Sequence, residues 1–125
     1  MLKHETINYL EFPAKDLAAT KAFFSQVFHW SFEDYGDEYS AFSESANGQS
    51  ATGMMGGFYQ ADLMSTTAKG GALVVLYSEK LEQTQAKIEQ AGGAIVRPIF
   101  SFPGGRRFHF IEPSGNEFAV WSDRS

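Results

Sequence analysis

Cysteine is absent from the 125 residues. That excludes a disulfide framework, a thiolate nucleophile and any Cys-based zinc site. Long apolar runs are missing as well. Nothing approaches the ~20 residues that span a bilayer, so no membrane partner is expected. The opening MLKHETINYLEF lacks the apolar run of a signal peptide and reads directly as a strand, which makes a soluble cytoplasmic protein the expectation. Positive charge is scarce: 10 Lys and Arg face 15 Asp and Glu, for a net charge of −5 and a pI near 5.1. The longest basic run is the pair Arg106–Arg107, so no nucleic-acid partner is expected. Only three histidines occur, His4, His29 and His109, and none falls in an H-x-H or H-E-x-x-H spacing. Gly53, Gly56 and Gly57 lack the Lys-Ser/Thr of a phosphate loop, and no G-x-S-x-G is present.

Aromatic residues, by contrast, are plentiful, with 12 Phe, 5 Tyr and 2 Trp. Such side chains fill cores, and they also line pockets for flat or apolar ligands. The length suits one compact domain that buries roughly two-thirds of its unfolded surface.

The order of elements repeats. Residues 5–12 read as a strand, with Ile7, Tyr9 and Glu11 on one face and Asn8, Leu10 and Phe12 on the other, ended by Pro13. Asp16 is placed to cap a helix over 17–28, whose Leu17, Thr20, Phe24, Val27 and Phe28 follow helical spacing. Strands follow over 30–35, 39–42 and 53–59, with a polar loop at 43–52 that holds Asn47-Gly48. Residues 61–71 are small, polar and glycine-terminated, as in a linker. A strand over 72–77 and a helix over 81–91 come next, the helix stopped by Gly92-Gly93. The strand over 94–102 carries Pro98, which places it at an edge or a bulge.

The closing stretch 105–121, GRRFHFIEPSGNEFAVW, reads as a hairpin. Pro113 presets the first corner of a type I turn, and Gly115 supplies the left-handed residue that closes it. Pairing Glu112 with Asn116 sets Phe110 opposite Phe118, His109 opposite Ala119, Phe108 opposite Val120 and Arg107 opposite Trp121. One face is then wholly apolar. The other carries Arg107, His109, Ala119 and Trp121 and has the chemistry of a site wall. The expected architecture is α+β: two βαβββ modules, 4–60 and 72–125, joined by the linker 61–71 in a single domain 1–125. They form a curved mixed sheet that makes a cup with its helices outside.

Several pieces in this order carry a resemblance: Asp16-Leu17 with Ala22-Phe23-Phe24 and Phe28-His29-Trp30, Gly92-Gly93, and Glu112-Pro113-Ser114-Gly115-Asn116. Over essentially the whole chain the sequence resembles the vicinal oxygen chelate superfamily of glyoxalase I, bleomycin-resistance proteins and extradiol dioxygenases. It is most similar to the glyoxalase-related branch, where Glu11-Phe12-Pro13 and residues 118–121 have look-alikes. The resemblance implies the paired βαβββ fold, a small-molecule ligand in a central cup and a homodimer. In metal-using members, the first and last strands of each module supply the ligands. Those positions fall here on Tyr9, near Leu73 and on Ala119. A Leu and a methyl group cannot ligate a divalent ion, so no metal and no other cofactor is expected, and metal-dependent glyoxalase I activity is not.

Two residues are candidates for proton transfer, His109 and Glu11, and His109 is expected near the centre of the cup, within reach of Arg107, Trp121, Tyr9 and Glu11. Tyr9, Arg107, Glu117 and Trp121 are candidates for ligand contact. Each has a structural alternative. His109 could be a hydrogen-bonded wall residue, Glu11 an ion-pair partner of Arg107, and Tyr9 and Trp121 core filling. Three functions stay open: a metal-free binder of a small, partly aromatic molecule, a lyase or isomerase, and an interaction module with a filled cavity.

Overall fold

The computed structural model describes residues 2–45 and 54–124. Asn47-Gly48 of the expected polar loop and Gly53 of the expected strand lie outside them. The first module holds β1 (Tyr9–Ala14), α1 (Leu17–Phe28), β2 (Ser31–Asp34), β3 (Tyr39–Ser43) and β4 (Met55–Gln60). A single 3-10 turn, Thr67–Lys69, lies between the modules. The second module holds β5 (Val74–Tyr77), α2 (Leu81–Gln90), β6 (Ala94–Phe102), β7 (Gly105–Ile111) and β8 (Glu117–Ser122).

The α+β class and the twofold βαβββ plan are as expected. Each module keeps its own four-stranded sheet, ordered β1-β4-β3-β2 in the first and β5-β8-β7-β6 in the second. The crossover strand runs parallel to the last strand of its own module in both cases. β1 differs from expectation in its bounds: it starts at Tyr9 and runs through Pro13 to Ala14. Proline fits there because β1 is an edge strand that pairs with β4 alone. Pro98 follows the same rule, since β6 is the other sheet's edge and its ladder to β7 shifts register on both sides of Arg97.

Local chemistry starts and stops the helices. Asp16 accepts the Ala19 N–H at 3.0 Å and caps α1. α1 ends at His29, an exposed left-handed residue at φ 61°. Its inner stripe is Thr20, Phe23, Phe24 and Val27, all buried.

One core serves both modules. The Phe24 ring lies 5.5 Å from Phe58 of the first sheet and 5.3 Å from Phe118 of the second. Phe12 and Phe118 meet at 5.1 Å, and Phe23 and Phe110 at 5.9 Å. Phe12, Phe58, Phe108, Phe110, Phe118 and Val120 therefore all point to the helix side. Side chains alternate along a strand, so Tyr9, Glu11, Arg107, His109 and Trp121 point to the helix-free faces, away from that core.

Candidate functional site

The hairpin register is the one the turn dictates. The Glu112 N–H bonds the Asn116 carbonyl at 3.0 Å, and the Gly115 N–H bonds the Glu112 carbonyl at 2.7 Å. Gly115 takes φ 95°, the left-handed corner. Arg107 then pairs with Trp121, His109 with Ala119 and Ile111 with Glu117. Next door, Val75 pairs with Ala119 and Tyr77 with Trp121, while Arg97 pairs with His109 and Phe100 with Arg107. The helix-free face of the second sheet thus carries two cross-strand rows. One is Arg97, His109, Ala119 and Val75, and the other is Phe100, Arg107, Trp121 and Tyr77.

His109 is the centre of this face, with 7% of its surface exposed. Its Nδ1 lies 3.0 Å from Glu117 Oε2. An ionised carboxylate only accepts, so Nδ1 carries the hydrogen and the imidazole is oriented. The second Glu117 oxygen accepts the Thr67 N–H and hydroxyl, both at 2.8 Å. Burial alone would raise the Glu117 carboxyl. The Thr67 N–H, the His109 ring and the Thr67 hydroxyl together hold it below its ordinary value. Among the described residues, the buried His109 Nε2 has no hydrogen-bond partner. Arg107 Nε, two residues away on the same face, is also buried without a partner among the described residues. The Arg107 guanidinium sits over the Phe100 and Phe102 rings at 5.3 and 5.7 Å, and Arg97 stacks on Phe100 at 3.8 Å. Trp121 packs edge-on to Tyr77 and tilted against Phe102.

Tyr9 and Glu11 belong elsewhere. They lie on the helix-free face of the first sheet, where the Tyr39 hydroxyl bonds Glu11 at 2.9 Å and lies 2.5 Å from the Tyr9 hydroxyl. Burial, the Tyr9 hydroxyl and the Glu11 carboxylate push the Tyr39 phenol well above its ordinary value. The expectation that His109 reaches Tyr9 and Glu11 within one chain is therefore corrected, as is a Glu11–Arg107 ion pair. The reason is the shared core, which turns the two faces apart. A groove of about 400 Å³ runs on from the Tyr9 end of this face, lined by Ser31, Glu33, Tyr35, Ala41, Ser43 and Met55 among others.

The alternating pattern placed Arg107, His109 and Trp121 on one face but did not pair His109 with Glu117. The signal was present. Glu117 is the diagonal neighbour of His109 in the register, about 7–8 Å away at Cα and within reach of long side chains. Tyr39 and Thr67 were missed because sheet order and the path of the chain between the modules bring them in.

The residues at the metal positions do not fit a metal. Tyr9 is engaged with Tyr39, and Leu73 and Ala119 offer no donor atom. Among the described residues, no group of three or more His, Asp or Glu could hold an ion. His109 and Glu117 alone give two donors.

With this geometry in view, the family is clear. The chain belongs to the glyoxalase/bleomycin resistance protein/dioxygenase superfamily, whose family model matches residues 6–120. Among solved structures, it is similar to a glyoxalase-related enzyme from Fulvimarina pelagi, with 15% identity, 94% of this chain and 88% of that one covered, and a TM-score of 0.73. It is similar to the fosfomycin resistance protein FosX from Listeria monocytogenes, with 16% identity, 98% and 93% covered, and a TM-score of 0.72. That protein was solved as an E126Q mutant complexed with Mn(II) and 1S,2S-dihydroxypropylphosphonic acid. A lactoylglutathione lyase from Agrobacterium tumefaciens matches with 16% identity, 94% and 93% covered, and a TM-score of 0.66. At these identities the likeness shows the fold alone. No curated protein matches the chain by sequence. Among the described residues, no helix is long and apolar enough to cross a membrane.

Proposed function

We propose that the chain binds a small, partly aromatic organic molecule against the helix-free face of the second sheet, without a resident metal. The observation that carries this reading is His109: one nitrogen is fixed by Glu117, and the other is buried without a partner. A buried polar atom left unpaired costs about 1–3 kcal/mol, which a ligand group can recover. Trp121, Tyr77 and Phe102 supply aromatic rings along the next cross-strand row, and Phe100 lies 6.0 Å from the His109 ring.

A single sheet face cannot enclose a ligand, since small-molecule sites bury most of their guest. We therefore include a homodimer in the proposal. Tyr9 is 41% exposed and Tyr77 47%, and Tyr35, Met55, Tyr59 and Val75 are exposed around them. A second copy that lays its Tyr9–Glu11–Tyr39 face over His109 would cover these apolar groups and give the site its second wall.

A second reading is favoured by the His109–Glu117 pair specifically. A histidine oriented by a carboxylate at Nδ1, with Nε2 free, is equipped to accept a proton from a bound substrate. Proton transfer of the lyase or isomerase kind follows, with Glu11 of the facing wall as a second candidate.

Native mass spectrometry of freshly purified protein tests the proposal. A dimer that carries a small-molecule adduct is expected, with the adduct lost in His109→Ala and the dimer kept. Protein that stays monomeric at micromolar concentration, or an adduct that His109→Ala retains, would count against the site. Deuterium exchange from solvent into the eluted molecule, present in wild type and reduced at least about tenfold in His109→Ala, would select the proton-transfer reading.

A further inference from the structure

The arginines of the second module show an imbalance. The chain has 15 acidic residues for 10 basic ones, so carboxylates are abundant. Arg106 finds Glu82, and Arg124 finds Glu79. Arg97 and Arg107 find none among the described residues; both rest on aromatic rings. They lie on the same face as His109, in its own row and the next. Among the described residues, Arg107 Nε and His109 Nε2 are both buried without a hydrogen-bond partner, as is Arg106 Nε, whose guanidinium is already held by Glu82. Alternate residues on a strand stand about 7 Å apart, so the Arg107 Nε–H donor and the His109 Nε2 lone pair can meet two different groups of one ligand.

We propose that the ligand of this face is an organic oxyanion with a flat apolar body. The guanidinium of Arg107 holds the anion, Arg97 adds positive charge at the rim, and Trp121, Tyr77 and Phe102 take the flat part. Guanidinium is the cation suited to this role. Its planar fork meets carboxylate or phosphate oxygens in pairs, and it stays on an aromatic surface while doing so. The anion also brings a substrate's proton within range of His109. A molecule anchored at Arg107 extends along the strand to the free Nε2, so the binding group and the proton acceptor address different ends of one ligand. The inference rests on the proposed site and gives it a substrate class.

The test uses the full chain in solution and follows the Arg107 Nε–H and the His109 ring by NMR. The probes are benzoate, phenyl phosphate and the neutral benzamide. Benzoate or phenyl phosphate should shift both signals saturably, with benzamide at least about tenfold weaker. Arg107→Lys, which keeps the charge and loses the fork, should weaken the anion at least about threefold, and Arg107→Ala at least about tenfold. If either variant does not fold, Arg97→Gln at the rim should still weaken both anions measurably and leave benzamide unchanged. Phenyl phosphate alone binding would keep the inference and assign the head group. Equal binding of benzoate and benzamide would overturn the anion and leave the small-molecule site standing. No shift of either signal with any probe would overturn both. Conversion of Arg107→Lys to monomer, with no anion response in wild type, would assign the guanidinium to a second copy and overturn the inference.

Discussion

Glu112 is a turn residue in the sequence and a buried carboxylate in the structure, with 1% of its surface exposed. It accepts from the Thr20 hydroxyl at 2.6 Å, the Ser114 N–H at 2.9 Å, and the Asn116 N–H and amide at 3.3 and 2.7 Å. Asn116 cannot turn over to suit a different partner. Its amide also donates to the Pro13 carbonyl, and its oxygen accepts the Ser65 N–H. Glu112→Gln would therefore set an NH₂ against two donors, and we expect a loss of about 1–3 kcal/mol at neutral pH by urea denaturation. The pH dependence has a definite sign. Burial pushes the Glu112 carboxyl above its ordinary value of 4.5, against the hydrogen bonds that lower it. The folded chain then holds this proton more tightly than the unfolded chain. The stabilisation is fully present below 4.5 and is lost as pH rises through the folded value. Groups common to both proteins cancel, so the deficit of Glu112→Gln should widen on acidification. A deficit that narrows as pH falls would contradict this account. The sequence made the turn legible because Pro113 and Gly115 act locally. It hid the network because Thr20 is 92 residues from Glu112 and only packing joins them.

Within elements, neighbouring glycines of β4 illustrate how one strand serves two surfaces. A methyl group on Gly56 would overlap the Leu10 carbonyl and the Phe42 ring on the core side. A methyl group on Gly57 would overlap the hydroxyls of Tyr39 and Tyr9 on the open side. Backbone cannot yield, whereas the far end of a half-exposed tyrosine can swing out. We expect Gly56→Ala to cost several kcal/mol, in the range of overpacked cores at about 1–3 or more. Gly57→Ala should stay within about 1 kcal/mol of wild type. It should also release Tyr39 from Glu11, so a spectrophotometric titration should show one phenol moving down toward the ordinary range. A Gly57→Ala protein with the wild-type tyrosine titration would mean that the cluster does not depend on this gap. The glycine-rich run 53–57 announces close approach, but not what approaches. That answer needs β1 and β3 on either side of β4, and parallel pairing across a helix leaves no local trace. Turns, caps and the hairpin register were readable because each depends on a few adjacent residues. Tyr9 and Glu11 were rightly assigned to one face of β1, and the error lay in supposing which sheet that face meets.

At the scale of the molecule, the two modules look separable and share what holds them. Few backbone bonds cross the seam. Glu117 N–H bonds the Ser65 carbonyl at 2.9 Å, and side chains tie Asp16, Thr20 and Pro13 to the hairpin turn. The larger bond is apolar. Phe118 of β8 packs on Phe12 and Phe24 of the first module as well as on Phe110 of its own. A slot of about 230 Å³ remains at one end of this seam, between Leu10, Phe12, Trp30, Val74, Leu76 and Phe118, so the packing there is incomplete. Removing a buried phenyl ring costs about 3–5 kcal/mol, a large share of the 5–15 kcal/mol that holds a domain together. Neither module can open without exposing the rings of the other, so unfolding should be a single event. The chain carries its own probes, with Trp30 buried in the first module and Trp121 on the open face of the second. In Trp30→Phe and Trp121→Phe, the remaining tryptophan reports one module at a time. Each fluorescence transition should coincide with the far-ultraviolet transition of the same variant. Phe118→Ala, added to either background, should lower both probes' midpoints together. A tryptophan signal that separates from the backbone signal in either background would show that the modules open independently, and that the seam is a contact between two units instead of one shared core.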